Sequence, residues 1–202
     1  MTIKAPFLPY NDLLGKAEQF LAEYHPSGTL PIPIERIVEF KFGIDIIAIP
    51  GLRDLIEVDA FPSNRLKEFY VDEFVYKKRP NRYHFSLAHE IAHVVLHQDV
   101  FAKLKFNSIQ EWLDAQDLIP DDQYSWIEWQ AYTFAGLVLV PPTQLRSEFD
   151  SMMDDANLAG LSRADICGEE DARKTFETHL ARPFAVSQSV IAKRAKKDML
   201  WD

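Results

Sequence analysis

The sequence predicts an α+β fold: a small antiparallel sheet packed on helices, followed by a helical C-terminal appendage. Three observations predict it. Strand-like runs occur only between residues 44 and 71. Amphipathic or apolar helical segments precede and follow that stretch. After Pro142 the texture becomes helical throughout, with no further strand signal. With 202 residues the chain is long enough for one good core and an added subdomain.

Leu13 to Tyr24 reads as an amphipathic helix, with Leu13, Leu14, Ala17, Phe20, Leu21 and Tyr24 on one side. His25-Pro26-Ser27-Gly28 ends it. Ile34 to Phe42 reads as a second helix, entered through a Pro-x-Pro and stopped by Gly43. Ile44–Ile49, Leu55–Phe61 and Lys67–Val71 then read as strands of an antiparallel meander, with Phe61-Pro62-Ser63-Asn64 turning the last two. Residues 73–81 read as a loop exposing Lys77, Lys78 and Arg79, a solvated charge run.

The next segment carries the chemistry. Arg82 to His97 has no Gly and no Pro, and Pro80-Asn81 supplies a helix start. The segment is apolar on most sides, so it is expected to be buried. Within it lies His89-Glu90-Ile91-Ala92-His93. On a helix, residues i and i+4 share a face, about 6 Å apart along the axis, so both imidazoles can reach one tetrahedral ion. Glu90 is rotated off that face enough to touch a water beside the metal rather than the metal. Burying His89, Glu90 and His93 together is costly unless something satisfies them, and a zinc ion does so.

A catalytic zinc takes a third protein ligand. His97 lies about 12 Å along the axis from His89, too far to share one ion, and is expected to cap the helix or pack under the site. A ligand six residues after His93 would fall on Asp99, but the Gly such a motif needs is Leu96. Glu128 is the best candidate. It is the only charged residue between Tyr124 and Pro141, a second apolar helix ended by Pro141-Pro142. A lone carboxylate there must neutralise or find a cation, unless it sits in an exposed first turn. Gln130 is a weaker rival, an amide being a poor zinc ligand.

Two stretches together resemble the ImmA/IrrE family of bacterial metallopeptidases. In the first, Arg82, Phe85, Leu87, Ala88, His89, Glu90 and His93 match the family's Arg-x-x-Phe-Thr-Leu-Ala-His-Glu-x-x-His helix. In the second, Glu128, Gln130, Ala131, Phe134, Ala135, Leu139 and Pro141 match its second helix. Ser86 replaces Thr, Val138 replaces Leu, and Tyr132 stands where Asn or Asp is usual. The resemblance implies zinc ligands at His89, His93 and Glu128 and a catalytic glutamate at Glu90. It also implies a zincin-like active-site helix and a sheet strand beside the zinc that can take substrate as an added strand. Residues 1–141 would then be the metallopeptidase domain and 142–202 a helical subdomain packed on it. The oxyanion or supporting role falls to His84, Tyr132, Arg82 or His97, without a decision among them. The implied substrate is a helix-turn-helix transcriptional repressor, whose cleavage lifts repression.

Residues 143–157 and 169–181 read as helices, and Ser187 as the cap of a last helix with Ile191 and Ala195 inward. Residues 184–197 also resemble a helix-turn-helix recognition segment, so a DNA-binding regulator is one alternative. A solvated face carrying Lys193, Arg194, Lys196 and Lys197 is the simpler reading, because the net charge of −9 argues against a broad grip on nucleic acid. A zinc-containing regulator that binds a repressor without cutting it is the other alternative. Cys167 is alone, so no internal disulfide forms, and residues 1–25 lack the apolar core of a signal peptide; both point to the cytoplasm. The apolar run 129–140 is too short to span a bilayer.

Overall fold

A computed structural model of the chain describes residues 3–106 and 108–201. The fold is α+β, with helices dominating a three-stranded sheet. Helix α1 (Tyr10–Tyr24) buries Leu13, Ala17 and Phe20, and α2 (Ile34–Lys41) buries Ile34, Ile37 and Val38. Strands β1 (Asp45–Ile49), β2 (Ala60–Pro62) and β3 (Glu68–Asp72) form a sheet of order β1-β3-β2.

The sheet is mixed, which corrects the expected antiparallel meander. β3 runs parallel to β1, pairing Ile47 with Tyr70, and antiparallel to β2, pairing Phe61 with Tyr70. The cause lies in residues 52–61, expected to be mostly strand. Leu52, Leu55 and Ile56 follow the i, i+3, i+4 period and form the short helix α3 (Leu52–Ile56). This helix carries the chain past the sheet, so β2 enters at the far edge and β3 returns between the other two. The turn before β3 is held by Ser63, whose hydroxyl accepts from the Glu68 amide at 3.1 Å.

Residues 73–81 are not a loop either. Helix α4 (Glu73–Lys78) starts on Asp72, whose carboxylate accepts from the Val75 amide at 3.0 Å, and Lys77 bonds Glu73 one turn back at 2.7 Å. Asp72 also accepts from the Arg53 amide at 3.1 Å, tying α3 to the start of α4. Lys77, Lys78 and Arg79 are exposed, as expected.

Helix α5 (Pro80–Leu96) follows with Pro80 in its first turn, where the missing N–H costs nothing. A short turn α6 (Gln98–Phe101), α7 (Ile109–Gln116) and α8 (Asp121–Leu139) come next. α5 packs chiefly along α8, and α1 and β2 flank the pair. The chain then runs through α9 (Pro142–Leu158), α10 (Arg163–Gly168), α11 (Glu170–Leu180) and α12 (Gln188–Lys197). One apolar cluster spans both sides of Pro141: Leu87, Ile91 and Phe134 share it with Phe149, Leu180, Phe184 and Ile191. A smaller cluster of Leu52, Phe61, Phe101, Trp112 and Ile127 lies around β2, α6 and α7. Among the described residues no helix is long and apolar enough to cross a membrane.

Candidate metal centre

Helices α5 and α8 bring His89, His93 and Glu128 together, with one ligating atom of each within 4.8 Å of the others. The two imidazole Nε2 atoms are 3.1 Å apart. His89 Nε2 lies 3.2 Å from one Glu128 oxygen, and His93 Nε2 lies 3.5 Å from the other. A tetrahedral ion with bonds of about 2.0–2.1 Å sets its ligands about 3.3 Å apart. The imidazole pair and the distance from each imidazole to its nearer Glu128 oxygen, a different oxygen in each case, are close to that edge length, so the residues could hold a divalent cation. Glu90 is buried beside them.

A chain of hydrogen bonds fixes which nitrogen of His93 offers its lone pair toward His89 and Glu128. The Pro6 carbonyl can only accept, and Gln130 Nε2 donates to it at 2.8 Å. The other end of that amide, Oε1, then accepts from His97 Nε2–H at 3.1 Å. A neutral His97 has a lone pair on Nδ1, which takes the proton of His93 Nδ1 at 3.1 Å. The consequence is a bare lone pair on His93 Nε2, the atom that meets His89 and Glu128. Burial supports the neutral form of His97, holding its pKa down at about 4 against the raising effects of Gln130 and Glu128. His97, expected to cap α5 or pack under the site, does both: it is the C-cap residue and is fully buried. Gln130, also fully buried, stands behind His97 rather than at the ion.

The electrostatics of the triad follow from its burial. His93 is held well below its ordinary pKa by burial and then by the neighbouring His89 and His97. Burial alone would lower His89, but Glu128 and Glu90 outweigh it and raise the imidazole. Burial pushes the Glu90 carboxyl up to about 7, with Glu128 adding to the rise and His89 opposing it. A cation at the triad would pull Glu90 back down. His89 has no chain like that of His93. Its Nδ1 is buried without a hydrogen-bond partner among the described residues, and its ring stands edge-on against Tyr132, centroids 4.6 Å apart. Tyr132 thus packs against the His89 ring where the resemblance leads one to expect a hydrogen bond from Asn or Asp.

The other expected residues divide. Arg82 lines the cleft and is ion-paired with Asp59, just before the edge strand β2. His84 is not brought to the triad: it is half-buried, within the field of Glu35 and bonded to the Ala185 backbone. Among the C-terminal cations, Arg194 is buried rather than solvated. Its guanidinium donates to Tyr10 Oη at 2.7 Å and to Asp198 at 2.8 Å. Three participants escaped the sequence reading. Phe101 packs on the His93 ring, centroids 5.1 Å apart. Tyr124 lines the cleft, its phenol pushed up by burial and by Glu128. The arm of residues 5–7 docks on α8, with Pro6 held by Gln130 and Trp126 and Phe7 stacked on the Trp126 ring. No motif signals the arm, because its partners are more than a hundred residues away.

The triad opens into a cleft of about 850 Å³, bounded by β2, α5, α7, α8 and α12. Fold and site together define an α+β protein in which two helices bring together a triad that could hold a metal ion, on the wall of a cleft. Comparison with known proteins gives the family. The model for the IrrE N-terminal-like domain, Peptidase_M78, matches residues 75–196, and the chain belongs to that family. No curated protein matches the chain. Among solved structures, a Mycobacterium tuberculosis transcriptional regulator is similar in fold, with a TM-score of 0.55 at 18% identity; the match covers 92% of this chain and 46% of that one.

Proposed function

We propose that the protein is a zinc-dependent endopeptidase that cuts a protein substrate, a helix-turn-helix repressor, and so lifts repression. The observation that carries the reading is the triad itself: two imidazoles and a carboxylate close enough to share one ion, with Glu90 buried beside them. Membership of a peptidase family supports it. The regulatory role rests on the family resemblance and, more weakly, on the likeness in fold to a transcriptional regulator.

His89, His93 and Glu128 would hold the zinc, which supplies polarisation of the scissile carbonyl and acidification of a water. The chain's own groups do the rest. Glu90 removes the proton of the attacking water and delivers a proton to the leaving amine nitrogen. The chain Pro6–Gln130–His97 keeps His93 in the tautomer that leaves Nε2 free. β2 is the edge of the sheet and lines the cleft, so an extended substrate can lie along it with main-chain hydrogen bonds. Arg82 and Tyr132 flank the triad from either helix.

The test is Glu90→Gln. The amide keeps the volume of the side chain but cannot act as a base, so cleavage should fall by roughly 10²-fold or more with zinc content unchanged. Cleavage at the wild-type rate would sink the mechanism. If neither form cuts candidate repressors yet both bind them, the protein is a non-catalytic regulator.

A further inference from the structure

The cleft that begins at the triad ends on α12, and that end is cationic. Lys193, Arg194 and Lys197 line it, together with Ser187 and Ser189 at the start of the helix. The Ser187 side chain does not cap α12; of the first-turn amides, those of Val190 and Ile191 donate to the Ser187 carbonyl. Arg194 is 6% exposed, and its Nε–H meets no hydrogen-bond partner among the described residues. Lys197 stands over the Tyr10 ring at 4.3 Å, which fixes its ammonium near the cleft. The acidic groups that line the cleft are elsewhere, Glu90 and Glu128 at the triad and Glu57 and Asp59 before β2, while Asp198, off the lining, pairs with Arg194. Lys193 and Lys197 are exposed there, whereas the charge of Arg194 is paired with Asp198.

The geometry points to a subsite for an acidic segment of the peptide substrate, a proposal that rests on the peptidase reading. Its distance from the scissile bond follows from α8. Gly136 lies under Arg194, close enough that a Cβ there would stand 3.6 Å from Arg194 Cδ. Gly136 is two turns from Glu128, about 12 Å at 1.5 Å per residue. An extended peptide covers that in about three or four residues. The preferred substrate therefore carries Asp or Glu three or four residues from the bond that is cut, seated against Lys193, Lys197 and the start of α12. Tyr132 and Thr133 line the path between the two ends.

The experiment measures binding, so that it does not depend on turnover. Two end-labelled dodecapeptides share one sequence, except that a block of three Glu in the first is three Gln in the second. Fluorescence anisotropy gives their affinities for the wild-type protein, for Lys193→Gln/Lys197→Gln, and for Lys77→Gln/Lys78→Gln. The last pair removes the same charge from an exposed site outside the cleft. All four lysines are at the surface, so the variants should fold. At low salt the acidic peptide should bind the wild type about tenfold more tightly than its amide twin, the size expected of a pair of exposed charge contacts. The advantage should shrink to about twofold or less in Lys193→Gln/Lys197→Gln, persist in the other variant, and fade as salt rises. Equal affinity for the two peptides, an advantage that survives loss of Lys193 and Lys197, or no binding of either peptide overturns the subsite. Acid-selective binding without any cleavage keeps the subsite and counts against the peptidase. Cleavage with no acidic preference does the reverse.

Discussion

Replacing Gln130 by Leu tests whether the buried relay sets the metal site. Leu has a similar size, so packing between α5 and α8 should survive. The change removes the acceptor of His97 Nε2–H in a place with no exposure. An orphaned buried donor costs about 1–3 kcal/mol. His97 can avoid that cost only by moving its proton to Nδ1, where it meets the proton on His93 Nδ1. His93 must then shift its own proton to Nε2, the atom that faces the ion. Either way the cost falls on zinc binding. Loss of such supporting contacts weakens metal affinity by about 10–100-fold, or about 1.4–2.7 kcal/mol, the same size as the orphan penalty. Competition with a calibrated chelator measures the affinity, and circular dichroism confirms that the variant is folded. Gln130→Glu restores an acceptor for His97 and should recover most of the loss, although it gives up the bond to Pro6. A folded Gln130→Leu that holds zinc as tightly as the wild type would refute the relay.

The remaining predictions address ligands and fold. His89→Ala, His93→Ala and Glu128→Ala should each lose most of the bound zinc by elemental analysis, whereas His97→Ala should retain metal with reduced affinity. Full zinc in Glu128→Ala would send the third ligand elsewhere. Asp72→Ala should cost about 1–2 kcal/mol in urea melts, the size of a lost helix cap. Burial alone would raise the Asp72 pKa, but the amides of Arg53, Val75 and Phe74 and the Arg53 charge outweigh it and hold it low. Its contribution is thus complete above the ordinary carboxylate value of about 3.9 and is lost as pH falls through the depressed one, so the two proteins should converge in strong acid. A chain ended after Pro183 loses the fully buried Phe184, Val186, Ile191 and Leu200. At about 1.5–3 kcal/mol each they approach the whole stability of a domain, so this truncation should not unfold cooperatively. A stable truncation with a sharp melt would show that residues 184–202 are separable.

The long helices were legible because each carries a face. Leu13, Ala17 and Phe20 recur at helical spacing, and the observed α1, α5, α8, α9 and α11 begin or end within a few residues of the expected bounds. The sheet was less so. Residues 55–61 alternate enough to pass for a strand, and the helical period that competes with it starts at Leu52, outside that stretch. Strand direction was not legible at all, because β1 and β3 pair in parallel only once α3 has carried the chain across. α4 had a signal that composition hid: Asp72 followed by Glu73 and Lys77 is a cap and an i,i+4 pair, but it was read as part of a charged loop. Arg194 looked like one more solvated cation on a basic helix, and only its distant partner Tyr10 shows it as buried.

The candidate site divides along the same line. Two histidines four apart on a buried helix place both imidazoles on one face from spacing alone, and a carboxylate that is the only charge between Tyr124 and Pro141 suggests a need for a cation. Both arguments use residues within one element, and the structure brings His89, His93 and Glu128 together. What spacing cannot supply is the protonation of those imidazoles. A neutral imidazole offers two arrangements of one proton, and the choice passes through partners that no local pattern names. Here it passes from His93 to His97, from His97 to Gln130 on another helix, and from Gln130 to Pro6, 124 positions earlier in the chain. The direction of every bond in the series is set by the one member that cannot donate, a proline carbonyl in an arm with no motif of its own. An arm that is unremarkable in sequence is thereby coupled to the metal centre: displacing it from Trp126 and Gln130 would remove the fixed end of the relay and leave both histidine tautomers open.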